Sequence, residues 1–232
     1  MRLPLTFWRS PAAALLAGGI LVPLCHAESF AALSMRIERN LSDKDHEVVI
    51  EITGGEIGLV TLKIVTPDGR TLLDMKAPDS KLGLRHLVIE SPEPKNLALL
   101  QQDYPEGTYQ FSATTRNGTQ LSGSATLDHR MPEPVRWQWP SGDNAVAAPS
   151  GVTLKWAPVQ GARWLALAIE DEKTGVKVLQ TQLPGGAVRY SPPTESLRPG
   201  TPYKVSVGAI GAGGNASYVE ATFTTAKATT LK

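Results

Sequence analysis

From about residue 46 onward, apolar and polar residues alternate over short stretches. Val48, Ile50 and Ile52 fall on one side of an extended segment, with Glu47, Val49 and Glu51 on the other. Val60, Leu62 and Ile64 repeat the pattern, and Thr66-Pro67-Asp68-Gly69 follows as a turn, with proline at its first corner and glycine where a positive φ is wanted. Thr71 to Met75 reads as the returning strand, and Leu87, Val88 and Ile89 form another short run. Tyr109, Phe111 and Ala113 alternate into Asn117-Gly118, a strong hairpin signal, and Leu121, Gly123, Ala125 and Leu127 continue beyond it. Only Asn96 to Gln102 suits a short helix. Closely spaced strands with turn residues between them predict a β-sandwich.

The second half alternates in the same way. Val152, Leu154 and Trp156 point inward, then Leu165, Leu167 and Ile169, and after the loop from Asp171 to Gly175 the residues around Val176 and Val178 form the next strand. Val205, Val207 and Ala209 follow Tyr203, and Val219, Ala221 and Phe223 make the last inward set. Between the halves lies His129-Arg130-Met131-Pro132-Glu133-Pro134, whose two prolines donate nothing to a ladder and hold their predecessors extended. Trp137 and Trp139 then point the same way, packing between the halves or onto the second core. The expected organisation is a sandwich over 28–130, a stiff linker and first strand over 131–142, a second sandwich over 143–226 and a tail over 227–232.

Four pieces of the second half occur together: the Trp156 strand, the Pro158-to-Ala162 turn, Leu197-Arg198-Pro199-Gly200-Thr201-Pro202-Tyr203, and Gly213-Gly214-Asn215-Ala216-Ser217 before the last strand. Over roughly 134–226 the chain resembles the fibronectin type III family. That resemblance implies a structural role for Trp156 as the core tryptophan and for Tyr203 at a tyrosine corner, its hydroxyl bonding backbone upstream. Leu165 departs from the family, which more often has an aromatic there. Leu100 to Tyr109 is a fainter echo of the same corner, which gives Tyr109 the equivalent structural role in an immunoglobulin-like first half of unnamed family. The fold class expected is all-β: two tandem immunoglobulin-like β-sandwiches, the second fibronectin type III-like.

Met1 to Ala27 reads as a secretory signal peptide: Arg2 and Arg9, an apolar run from Pro11 to Leu24, and small residues at Cys25 and Ala27. The run is shorter than the roughly 20 residues a bilayer span needs. Cleavage after Ala27 removes the single cysteine and leaves 21 basic against 22 acidic residues. A chain so processed is secreted, periplasmic or extracellular, has no membrane span, and relies on its apolar cores without disulfides. The near-neutral balance argues against nucleic acid as a partner. Glycine and proline together make 39 of 232 residues, in keeping with many turns.

Motifs for chemistry are sparse. His46, His86 and His129 lie about 40 residues apart without metal-ligand spacing, so no metal or other cofactor is expected. Asp43-Lys44-Asp45-His46-Glu47 lacks the glycine and alternate acidic oxygens of a calcium loop. Lys173-Thr174-Gly175 matches one element of penicillin-recognising enzymes, but no Ser-x-x-Lys accompanies it. No catalytic residue is assigned and an enzyme is not expected. One face suggests binding. If Leu165, Leu167 and Ile169 face inward, Trp164 faces outward with Ala166 and Ala168, beside Lys204, Ser206 and Gly208 and then Tyr218, Glu220 and Thr222. Trp164, Lys204, Tyr218 and Glu220 are the candidate binding residues. The function expected is an exported, non-catalytic binding or scaffolding protein acting through protein–protein contacts at the cell envelope or outside the cell. The alternatives are a carbohydrate-binding accessory protein using the aromatic face and a small secreted hydrolase with spatially assembled carboxylates.

Overall fold

The computed structural model describes residues 28–227, apart from 78, 80, 95, 143 and 144. The signal-peptide reading of 1–27 therefore lies outside the described residues. The first half contains β1 (Glu28–Ser29), β2 (Ala32–Asn40), β3 (Asp45–Thr53), β4 (Leu59–Val65), β5 (Thr71–Lys76), β6 (His86–Glu90), α1 (Leu97–Asp103), β7 (Gly107–Thr115) and β8 (Gln120–Leu127). The second contains β9 (Trp137–Trp139), β10 (Val146–Ala147), β11 (Leu154–Trp156), β12 (Trp164–Asp171), β13 (Val176–Pro184), β14 (Arg189–Tyr190), β15 (Pro202–Ile210) and β16 (Ala216–Thr225).

Two buried clusters hold these strands in layers. The first gathers Met35, Ile37, Val48, Ile50, Ile52, Leu62, Ile64, Tyr109 and Phe111 between the sheet β1-β8-β7-β4-β5 and the strands β2-β3-β6. The second gathers Val135, Leu154, Trp156, Leu165, Leu167, Ile169, Tyr203, Val205, Val207 and Phe223 between β14-β11-β9 and β13-β12-β15-β16. The inward sets are the alternating residues, because successive side chains in a strand point to opposite faces. One detail differs from the sequence pattern. Leu59, not Val60, is buried with Leu62 and Ile64, because a register shift between Leu59 and Thr61 turns the start of β4 over. Asn96 caps α1 by accepting the amide of Leu99 at 3.1 Å.

The strand β2 precedes the point at which the sequence pattern becomes regular, and it changes the architecture. It pairs with β3 on one side and, in parallel, with β16 of the other sandwich, in register Ala216 to Glu38, Ser217 to Arg39 and Tyr218 to Asn40. One sheet therefore runs β13-β12-β15-β16-β2-β3-β6 through both sandwiches. The sequence leads to two bodies joined by a stiff linker; the structure has a shared sheet as well. Below it, the carbonyls of Asp128, Arg130 and Pro132 are bonded by Asn215, Ser217 and Arg39. Val135 already belongs to the second core, and both linker tryptophans pack onto that core, Trp137 edge-on to Trp156 at 5.9 Å and Trp139 against Phe223 at 5.4 Å.

Candidate functional site

The outward face of β12, β15 and β16 is set by their registers. Across the sheet, Trp164 lies beside Ile210; Ala166 beside Gly208 and then Tyr218; Ala168 beside Ser206 and then Glu220; Glu170 beside Lys204 and then Thr222. Rows of same-face residues are about 6.6 Å apart along a strand. Trp164 and Lys204, three rows apart, are thus separated by about 20 Å. The four candidate residues share a face but do not converge on one point.

Each has a distinct environment. Trp164 is 39% exposed, and the Arg163 guanidinium lies 6.0 Å from its ring centre. The ring of Tyr218 lies over Gly208, so closely that a methyl group there would meet Cε1 at 2.2 Å. Burial, reinforced by the charge of Glu38, raises the Tyr218 phenol above its usual range. Lys204 Nζ sits 3.7 Å from Glu220 and 4.0 Å from Glu170. Glu220 also accepts from Asn40 Nδ2 at 3.4 Å, while its own amide donates to Ser42 Oγ at 2.8 Å. Of the structural residues, Trp156 is buried and its indole N–H donates to the carbonyl of Ala187 at 2.7 Å. The Tyr203 hydroxyl accepts the amide of Arg198 at 2.7 Å, and the Tyr109 hydroxyl donates to the carbonyl of Pro105 at 3.0 Å. Burial pushes the Tyr109 phenol up to about 12.

The seam brings further polar groups onto the same face. Glu38 on β2 stands directly across from Glu47 on β3, and Asn40 across from Asp45. Like charges directly opposite are unfavourable. Partial burial, together with Glu90, Glu38, Asp45 and Glu93, raises the Glu47 carboxyl to about 7. Arg36 offsets part of this charge, donating to Glu38 at 2.6 Å and Glu51 at 3.2 Å. Glu38, Asp45, Glu47, Tyr218 and Glu220 line a cleft of about 180 Å³ across the seam, smaller than the roughly 300 Å³ at which small-molecule sites begin. Tyr218 and Glu220 are among the candidate binding residues, whereas Glu38 on β2 escaped the sequence reading. The signal was present in β2, where Leu33, Met35 and Ile37 alternate with Ser34, Arg36 and Glu38.

Among the described residues, no group of three His, Cys, Asp or Glu is placed to hold a metal ion, and no helix is long and apolar enough to cross a membrane.

No family model matches the chain, and no curated protein matches it. Among solved structures it is similar to the FN1–FN3 domains of chicken CNTN1, at 13% identity and a TM-score of 0.37, over 87% of this chain and 69% of that one. It is also similar to a segment of two fibronectin type III domains from chicken tenascin, at 11% identity and a TM-score of 0.31, over 82% of this chain and 97% of that one. A third similar structure is trypsin-activated alpha-2-macroglobulin from Escherichia coli, at 12% identity and a TM-score of 0.29, over 88% of this chain and 16% of that one. The fold rests on the strand orders themselves. A three-strand layer of β14-β11-β9 faces a four-strand layer of β13-β12-β15-β16, and the first half repeats the plan with β6-β3-β2 facing β5-β4-β7-β8. The chain is an all-β protein of two tandem immunoglobulin-like sandwiches, the second fibronectin type III-like.

Proposed function

We propose that the chain is an exported, non-catalytic binding or scaffolding protein that acts through protein–protein contacts at the cell envelope or outside the cell. The observation that carries this reading is the continuous sheet. The parallel pairing of β16 with β2 sets the outward faces of both sandwiches side by side as one surface. Its Trp164 end combines an exposed aromatic with Ile210, Ala166 and Ala168. A broad surface with one large aromatic at its margin suits a protein partner, where aromatic anchors contribute most of the energy. The leader-like residues 1–27 support export. A sugar stacked between Trp164 and Tyr218 is disfavoured, since Arg163 approaches the Trp164 ring and the Tyr218 ring lies against Gly208.

Site-specific photo-crosslinking in the native cell tests the reading. A benzophenone amino acid at Ala168 is expected to give a discrete protein adduct that Trp164→Ala abolishes. The same probe at Thr126, exposed on β8 in the opposite sheet, is the control. No adduct at Ala168, or the same adducts from both positions, would overturn the proposal.

A further inference from the structure

The strand β13 pairs with β12 and closes the large sheet on that side, and among the described residues no strand pairs with its other edge. Gly185 N donates to the carbonyl of Arg163 at 3.0 Å, which makes Trp164 and Pro184 a non-hydrogen-bonded pair. Ladder bonds alternate along an antiparallel pair, so Leu179, Thr181 and Leu183 turn their backbone groups toward β12. Gln180 and Gln182 turn theirs toward the outer edge, and both are exposed, beside Ala168 and Ala166. Ala145, which borders the undescribed residues 143 and 144, lies beside β16, three strands away.

Edge strands are guarded against strand addition by charges, bulges and prolines. The edges of β5 and β6 carry Asp74 and Lys76, and His86 and Glu90. On β13 the guards stand at the ends. A register shift leaves Val178 as an extra residue, and Pro184 has no N–H to offer. Between them runs Leu179-Gln180-Thr181-Gln182-Leu183, uncharged and identical when read in either direction. A palindromic strand is its own antiparallel complement. With a two-fold axis at Thr181, Gln180 of each copy exchanges both backbone bonds with Gln182 of the other. Thr181 then faces Thr181, and Leu179 faces Leu183, in the close, non-hydrogen-bonded pairs. Leu179 and Leu183 already pack against the second core, so these contacts join the cores of the two copies. The extra residue of one copy falls opposite the proline of the other, where the pairing stops.

We propose that β13 is the interface of a homodimer: two copies of this chain pair antiparallel through Leu179–Leu183, so that one sheet runs through both molecules. The proposal does not rest on the protein-contact reading of the Trp164 face. The two have separate tests, so either can fail alone.

Sedimentation equilibrium of the processed chain, from micromolar to millimolar concentration, is expected to show a reversible monomer–dimer equilibrium. Gln180→Lys combined with Gln182→Lys sets like charges opposite each other in both exposed pairs and should raise the dissociation constant at least about tenfold. Gln180→Lys combined with Gln182→Glu sets opposite charges at the same positions and should dimerise at least as well as the parent. Circular dichroism should be unchanged in both. No cysteine follows Ala27, so Thr181→Cys should oxidise to a disulfide-linked dimer, whereas Thr126→Cys on β8 should not. A parent that is monomeric throughout, equal dimerisation by the two charge variants, or a Thr181→Cys chain linked no faster than Thr126→Cys would sink the proposal.

Discussion

Asn215 places its carboxamide oxygen 2.7 Å from the backbone nitrogen of Ile37, a residue 178 positions away and in the other sandwich. Its amide group donates in turn to the carbonyls of Asp128 and Arg130, at 2.9 and 3.0 Å. One buried side chain thus ties together the later half of β2, the loop before β16 and the chain between the sandwiches. Asn215→Leu keeps the volume roughly constant and leaves the Ile37 amide without a partner. A buried donor so orphaned costs about 1–3 kcal/mol. The expected outcome is a loss of about that size in urea unfolding, with accelerated hydrogen exchange at Ile37 and cleavage between Asp128 and Val135 under limited proteolysis. Asn215→Asp retains the oxygen and loses both donors, so it should be destabilised as well.

The contact between Gly208 and Tyr218 gives a sharper test. A methyl group at 208 would overlap the ring of Tyr218, with Cε1 at 2.2 Å. Gly208→Ala should displace the ring and lower stability by about 1–3 kcal/mol, the usual range for overfilling a packed site. Gly208→Ala made in a Tyr218→Ala background should cost much less. A double-mutant cycle on thermal unfolding reads the difference directly.

The partial burial of Glu47 beside Glu90 and Glu38 makes stability depend on pH. The folded-state value of Glu47, about 7, lies above its ordinary value of 4.5, so the folded chain binds this proton more tightly than the unfolded one. Its contribution is complete below about 4.5 and is lost as the pH rises through about 7. Glu47→Gln should therefore raise the melting temperature at pH 8 relative to the parent and change it little at pH 4.5. The same temperature gain at both pH values would show that charge at Glu47 is not the cause.

The tyrosine corner predicts a smaller effect. Tyr203→Phe removes the acceptor of the Arg198 amide and leaves the ring in the second core. A loss of about 1 kcal/mol is expected, corresponding to about 3 °C in a chain of this size. The fold should be unchanged by circular dichroism.

The inward residues of both sandwiches were legible because a half-buried strand must alternate. Val48-Ile50-Ile52 and Leu165-Leu167-Ile169 carry that signal without help from the rest of the chain. Val60 was read into the set with Leu62 and Ile64 where Leu59 stands instead, because a bulge changes the phase at a point that spacing alone does not mark. Trp137 and Trp139 were legible as packing residues, but the core they join depends on Trp156 and Phe223. The seam was hidden for a different reason. Asn215 and Ser217 look like the polar end of a glycine-rich loop, and nothing local shows that their partners are Ile37, Arg39 and Pro132. The same separation explains the candidate binding face. Its residues were placed on the correct strands, whereas Glu38, Asn40 and Glu47, which complete the surface beside them, come from the far end of the chain.

The parallel direction of β2 and β16 has a mechanical consequence. Tension applied between Ala32 and Thr225 pulls one strand backward and its neighbour forward along a common axis. The bridging hydrogen bonds are then loaded together, in shear, instead of being opened one after another like a zip. An assembly pulled through these two ends would yield at the seam only when all of its bonds fail at once, and the sandwiches on either side would be shielded until it did.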